Sequence, residues 1–132
     1  MRVLVTGASG FVGRHVVAEL RRRLITTRVA RRQHAEAASF GDSVEVVSLS
    51  GPGHSAIDWA NAVSGCDVVI HLAARAHVLR DDQDAEIEFQ LANVVFARAC
   101  CEEAANAGVR RFIFMSSIGV HGGESGEKPI QV

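Results

Sequence analysis

Two rhythms of apolar and polar residues take turns along this chain. Short apolar runs of strand length fall at residues 2–6, 26–30, 44–49, 67–72 and 111–116. Between them lie longer stretches whose apolar residues recur three and four apart, the spacing that gathers them on one side of a helix. The first such stretch, residues 11–23, has Val12, Val16, Val17 and Leu20 on its apolar side. A weak helical piece covers 33–40, and a short helix around Trp59 covers 57–63. A long helix covers 84–107, where Ile87, Leu91, Val94 or Val95, Arg98 and Cys101 mark one side. Ser50-Gly51-Pro52-Gly53 breaks the pattern, and Gly65 and Gly108 stop the helices before them. Residues 119–132, polar and carrying Gly122, Gly123, Gly126 and Pro129, read as loop.

Strand and helix in alternation predict an α/β fold, a doubly wound parallel sheet with helices on both faces in three αβα layers. The run 67–72 is nearly all apolar, as a strand covered on both faces requires. The expected arrangement is Rossmann-type, strand order 3-2-1-4-5, with a ligand crevice at the carboxyl ends of strands 1 and 4. A chain of 132 residues, 48% apolar, makes one domain with a real core.

The first strand runs straight into three glycines, Gly7, Gly10 and Gly13, in Val5-Thr6-Gly7-Ala8-Ser9-Gly10-Phe11-Val12-Gly13. Lacking a Cβ, glycine permits backbone angles and close approaches closed to other residues. Such a turn lets an anion sit against the free N–H groups at the positive end of the following helix. Gly13, one turn in, lets helix and strand pack closely. The spacing alone also fits an ordinary strand–helix connection. Its position at the start of a βαβ unit favours a pyrophosphate site.

Charge adds detail. The net charge is −1, which argues against a nucleic-acid partner for the chain as a whole, yet residues 1–35 hold eight Arg and one acid, Glu19. This basic segment suits the phosphates of a small ligand, or is a solvated helix face. No apolar run is long enough to span a bilayer. Met1 leads directly into strand-like sequence without a signal-peptide pattern, so the expected location is cytoplasmic. Cys66, Cys100 and Cys101 lack metal-ligand spacing and read as free thiols in a reducing compartment. The six His and the carboxylates form no ligand-spaced cluster, so no metal is expected.

Three further segments complete a pattern: His71-Leu72-Ala73-Ala74 after strand 4, Asn93-Val94 inside the long helix, and Phe112 to Gly122 with Ser116-Ser117-Ile118-Gly119-Val120-His121 at its centre. With the T-G-x-x-G-x-x-G start, the chain resembles the extended short-chain dehydrogenases/reductases. Within them it is most similar to the NAD-dependent epimerase/dehydratase branch typified by UDP-glucose 4-epimerase. The resemblance implies that Gly7, Gly10 and Gly13 hold a pyrophosphate, with Phe11 and Val12 supplying helix N-terminal amides. It implies that Leu72, Ala73 and Ala74 wall the nicotinamide-side ribose and that Asn93 braces the loop after strand 4. Ser117 matches the catalytic Ser/Thr that hydrogen-bonds the substrate oxygen. The implied substrate is a nucleotide sugar, and the implied assembly is a homodimer through the long helix. Ala85, Phe89, Phe96 and Ala99 are expected as its exposed apolar surface.

Several residues depart from the family pattern. NAD-dependent members carry an acid near the end of strand 2, where this chain has Arg31 and Arg32. An arginine fork suits a 2′-phosphate, so NADP is expected in preference to NAD. Ser48-Leu49 stands where the family often has an acid beside the adenine, and His121 replaces a tyrosine in the segment after strand 5. The family's catalytic Y-x-x-x-K is missing: the sequence has no Tyr, and its one Lys is Lys128. The resemblance therefore implies that residues 1–132 are the N-terminal cofactor-binding part of a longer enzyme. The alternative is a non-catalytic, NADP-sensing regulator on the same fold.

Overall fold

The computed structural model describes residues 1–32, 40–50, 56–75 and 83–117. The strands are β1 (Arg2–Thr6), β2 (Thr26–Arg32), β3 (Val44–Leu49), β4 (Val68–His71) and β5 (Arg111–Phe114). The helices are α1 (Phe11–Arg22), α2 (Ala56–Val63), α3 (Gln83–Gln90) and α4 (Phe96–Asn106). A π-helical turn, Leu91–Val95, joins α3 to α4. The sheet is parallel throughout with order β3-β2-β1-β4-β5, as expected from the alternation. The weak helical piece at 33–40 lies, but for Phe40, outside the described residues.

Each face of the sheet has its own core. Val3, Val5, Val29 and Val44 point toward α1, where Val17 is buried and Val16 and Leu20 pack against them. Leu4, Ala30, Leu49 and Val69 point the other way, toward Trp59, Ala62 and Val63 of α2 and Cys100 and Ala104 of α4. Neighbours along β1 thus serve opposite cores, as the two-residue period of a strand demands.

The long helix departs from the expected pattern. Its buried residues are Ala97, Cys100 and Ala104. Ile87, Val94, Val95, Arg98 and Cys101, which share a side by sequence spacing, are exposed. A π turn holds more residues than an α turn, so it rotates everything beyond it relative to an unbroken helix. Ala97, Cys100 and Ala104 then face α2 and the sheet, where small side chains allow close approach. The rotation also places Phe96 and Ala99 against the core, which corrects their expected exposure.

Arg28 and His71 are buried beside this second core, with Thr6 next to His71. Arg28, on β2, is 7% exposed. Its Nη1 donates to the carbonyl oxygens of Ala62 and Ser64 at 2.8 and 2.7 Å, and its Nη2 meets Glu45 Oε1 at 2.9 Å. A cation thus closes the carboxyl end of α2, where orphan carbonyls concentrate negative potential. Hydrogen bonds to a charged group contribute about 1.5–3 kcal/mol.

His71, at the end of β4, is 1% exposed. Its ring stacks on Phe112 and Phe114 of β5, with centroids 6.0 and 5.9 Å away. Burial pushes its pKa down from 6.5 to about 4, partly opposed by a backbone hydrogen bond at Ala73. The folded chain therefore refuses a proton that the unfolded chain accepts between these values. Stability is full above the ordinary histidine pKa and falls as pH drops through this window, by at most ~1.4 kcal/mol per pH unit. Thermal melts between about pH 7.5 and pH 5 should show Tm falling with pH, and His71→Phe should flatten that fall. An unchanged slope in the variant would mean that other groups carry it.

Candidate functional site

All five strands run the same way, so the segments after β1, β2, β4 and β5 gather along one edge of the sheet. β1 and β4 are neighbours, yet their connections leave toward opposite sides. The crevice of a doubly wound sheet opens at this point.

The turn after β1 is shaped by close contacts that only glycine allows. Gly7 has φ +67°, and a Cβ there would lie 2.6 Å from Ala73 N and from the Leu72 carbonyl carbon. Gly7 is thus seated directly on the backbone that follows β4. Gly13 is buried under the same turn, where a Cβ would lie 2.7 Å from Ala8 Cα and closer still to the Gly7 carbonyl oxygen. Gly10 N–H donates to Gly7 O at 3.0 Å, and Gly10 O accepts from Arg14 N–H as the first bond of α1. No side chain caps α1 at Gly10. The first-turn amides of Phe11, Val12 and Gly13 have no helical acceptor, because none precedes them in the helix. Glycine clears the space before them, and a dinucleotide pyrophosphate fits this cradle in charge and in bulk.

The wall opposite is set by hydrogen bonds. Leu72 N–H donates to Thr6 O at 3.3 Å, and Ala73 N–H donates to Thr6 Oγ1 at 3.2 Å. Thr6 Oγ1 also lies 3.1 Å from His71 Nδ1. Ala74 is exposed and Leu72 and Ala73 are half-buried. Asn93, on the π turn, reaches across to Arg75. Its Oδ1 accepts from Arg75 N–H at 2.8 Å, and its Nδ2 donates to Arg75 O at 3.0 Å. Both backbone groups of one loop residue are thereby held, and Arg75 also pairs with Glu88 on α3. A residue uncomfortable in mid-helix has found its partners outside the helix.

β2 runs two residues further than its apolar pattern implies, through Arg31 and Arg32 opposite Ser48 and Leu49 of β3. The two arginines therefore stand at the edge that carries the glycine turn, Arg31 half-buried and Arg32 exposed. Three other basic residues of the first segment divide away from them. Arg22 and Arg23 pair with Glu19 at the far end of α1, and Arg28 caps α2. Glu19 is held down to about pKa 2 by its hydrogen bonds to Arg22 and Arg23. Glu19, Arg22 and Arg23 thus form a solvated helix face.

Ser117 lies just beyond β5 on the same edge and is exposed, as is Ser116. Ile118 to Gly122, including His121, lie outside the described residues. Cys66 and Cys100 are buried free thiols and Cys101 is exposed. Burial raises the Cys100 thiol to about 12. Among the described residues no group of His, Cys, Asp and Glu is arranged to hold a metal ion, and no helix is long and apolar enough to cross a membrane. Thr6, His71 and Arg75 were not singled out by sequence reasoning as parts of the site. Their one signal was adjacency to the motifs, since their contacts span 65 and 18 residues of chain.

Comparison with known proteins agrees with this geometry. The family described as the NAD dependent epimerase/dehydratase family matches residues 3–131. UDP-glucose 4-epimerase of Vibrio cholerae is 34% identical over 122 residues, covering 91% of this chain and 36% of the epimerase. Dihydroflavonol 4-reductase of Zea mays is 31% identical over 139 residues, covering 97% of this chain and 38% of the reductase. Among solved structures, MoeE5 in complex with UDP-glucose and NAD has a TM-score of 0.77 at 29% identity, covering 96% of this chain and 40% of that one. The chain thus spans well under half the length of these relatives. A parallel 3-2-1-4-5 sheet, a glycine turn seated on the end of β4 and a family match over nearly every residue make this chain a member of the NAD dependent epimerase/dehydratase family.

Proposed function

We propose that these residues are the NAD(P)-binding part of an enzyme that exchanges hydride with a sugar carbon of a nucleotide sugar, in an epimerisation, dehydration or reduction. The observation that carries the reading is the seat of Gly7 on the Leu72–Ala73 backbone, which opens the first turn of α1 toward the crevice. The names of the epimerase and of the UDP-glucose complex support the sugar-nucleotide class. A bound nicotinamide supplies the hydride chemistry. The amides of Phe11, Val12 and Gly13 hold the pyrophosphate. Leu72, Ala73 and Ala74 wall the nicotinamide-side ribose, and Asn93 steadies that wall through Arg75. Ser117 hydrogen-bonds the sugar oxygen that gains or loses a proton.

The same reading assigns NADP in preference to NAD. Arg31 and Arg32 offer a planar, permanently charged fork at the end of β2, and Arg31 Nε is buried with no hydrogen-bond partner among the described residues. Calorimetry should find NADPH bound about tenfold more tightly than NADH, with Arg31→Ala removing most of the difference, since a charge-assisted hydrogen bond is worth about 1.5–3 kcal/mol. Tighter NADH binding, or an unchanged preference in Arg31→Ala, would reject NADP.

The sequence contains no tyrosine to move the proton, and neither Ser117 nor a described histidine replaces it. Residues 1–132 therefore bind cofactor and turn nothing over. Proton transfer by a positioned group is worth about 10²–10⁴ in rate. Incubation with NADPH and a panel of keto- and hydroxy-nucleotide sugars should give no steady turnover. Turnover that disappears in Ser117→Ala would move the acid/base role to a residue present, His121 first.

We also propose self-association through the long helix. Ile87, Val94 and Val95 are exposed there, and α3 and the π turn leave them unpaired on a surface otherwise rich in Glu and Gln. Light scattering should report a dimer that Ile87→Lys weakens. A monomer at every concentration would exclude it.

A further inference from the structure

We propose that Arg14 is a specificity-determining residue, the second guanidinium that closes, with Arg31, on the 2′-phosphate of a bound NADP. The inference rests on the reading of the glycine turn as a cofactor site and of Arg31 as a phosphate contact. It starts from a charge out of place. Arg14 lies in the first turn of α1, the end at which a helix favours anions, and no acid stands in that turn to offset it. Arg22 and Arg23 are neutralised by Glu19, and Arg28 by Glu45. Arg14, Arg31 and Arg32 form no ion pair among the described residues.

The packing of α1 brings Arg14 and Arg31 to one corner. Arg14 and Arg21 stand two helical turns apart and so share one flank of α1. Arg21 locates that flank. Its Nε donates to Ser43 Oγ at 3.2 Å, and its Nη2 would lie 2.7 Å from a Cβ on Gly41. Gly41 and Ser43 lead into β3, which lies beyond β2 from β1. Arg14 therefore stands on the β2 side of α1. Side chains alternate along a strand, so Arg31 shares a face of β2 with Val29, which packs in the same core as Val17 of α1. From Val17 back to Arg14, α1 climbs about 4.5 Å toward the crevice edge. From Val29 on to Arg31, β2 climbs about 6.6 Å toward the same edge. The two arginines thus end at a similar height, one on the helix and one on the strand, and Arg31 Nε is buried without a hydrogen-bond partner. Arg32 follows on the opposite face of β2, the face of Arg28, away from this corner.

A phosphate monoester matches the corner in charge and shape. It carries nearly two negative charges and three acceptor oxygens at neutral pH. Guanidinium groups arriving from two directions can each take two of those oxygens. The adenosine ribose of a dinucleotide lies at the end of the second strand in this fold class, which sets its 2′ substituent beside Arg31. The pyrophosphate takes the amides on the axis of α1, so the two phosphate sites do not compete.

Two probes that differ only in the 2′-phosphate, adenosine 2′,5′-bisphosphate and adenosine 5′-monophosphate, isolate this contact. The ratio of their affinities at about 0.15 M salt is the readout, since exposed charges more than about 8 Å apart are then largely screened. Arg14→Gln should cut the preference for the bisphosphate about fivefold, the size of an exposed ion pair. Arg22→Gln removes the same charge at the far end of α1 and should leave the ratio unchanged. Titration followed by ³¹P shifts should show the bound 2′-phosphate ionising below its ordinary pKa of about 6, and closer to it in Arg14→Gln. An unchanged ratio in Arg14→Gln, or an equal loss in Arg22→Gln, would overturn the proposal. If the ratio fell in Arg31→Ala but held in Arg14→Gln, the role of Arg14 alone would be rejected and the NADP reading would stand. An unaltered chain with no preference for the bisphosphate would reject both.

Discussion

The rest of this structure depends on one close approach, that of the Gly7 backbone to the peptide joining Leu72 to Ala73. It couples the turn after β1 to the end of β4, two segments far apart in sequence that both border the crevice. A single Cβ at position 7 would meet the main chain at 2.6 Å, so the contact tolerates no other residue without displacing one strand end. The parallel register Thr6↔His71 brings these two ends level. Gly13 repeats the device from beneath, letting α1 start hard against the turn. The open mouth of α1 is a consequence of these contacts rather than a separate feature. The amides of its first turn are ones that the helix itself cannot satisfy, which makes the mouth favourable to negative charge.

The polar groups that reach into the fold are specialised. Arg28 carries charge into the second core and gives it to the end of α2, with Glu45 as counter-ion. His71 is held neutral by its burial, with Nδ1 3.1 Å from Thr6 Oγ1. Asn93 reaches from a π turn to both backbone groups of Arg75. Arg28 fastens the end of α2 at the edge of the sheet where β4 begins, whereas His71 and Asn93 lie at the edge that carries the crevice. The apolar cores supply the stability, and these side chains specify where the backbone stops.

The apolar surface is distributed unevenly. α1 and the pair α2 and α4 cover the sheet on either side of β1 and β2. β5, at the sheet's edge, leaves Ile113 and Phe114 41% and 53% exposed. Its sequence, Arg-Phe-Ile-Phe, is that of a strand covered on both faces, yet only Phe112 packs into a core. On the long helix the π turn similarly leaves Val94 and Val95 facing outward.

The sequence by itself determined the class of the fold, the order of its elements and the place of the glycine turn. These follow from local causes: the two- and four-residue rhythms, the Cβ-free positions, and the Gly stops at 65 and 108. The family pattern further marked Leu72 to Ala74, Asn93 and Ser117. The phase of the long helix beyond Leu91 was not legible, because a π turn leaves no mark in apolar spacing, and Ile87, which precedes the turn, is exposed as well. It is stabilised by Asn93 finding Arg75, 18 residues away, and by small residues meeting α2. The inward turn of Arg28 was equally hidden among eight arginines, since its acceptors are carbonyls that only α2 brings near. The pairing of Thr6 with His71 depends on strand register, and register is decided when β1 and β4 lie side by side. Spacing along the chain reports which face a residue takes. Only the folded sheet decides which distant backbone group lies within reach of its side chain.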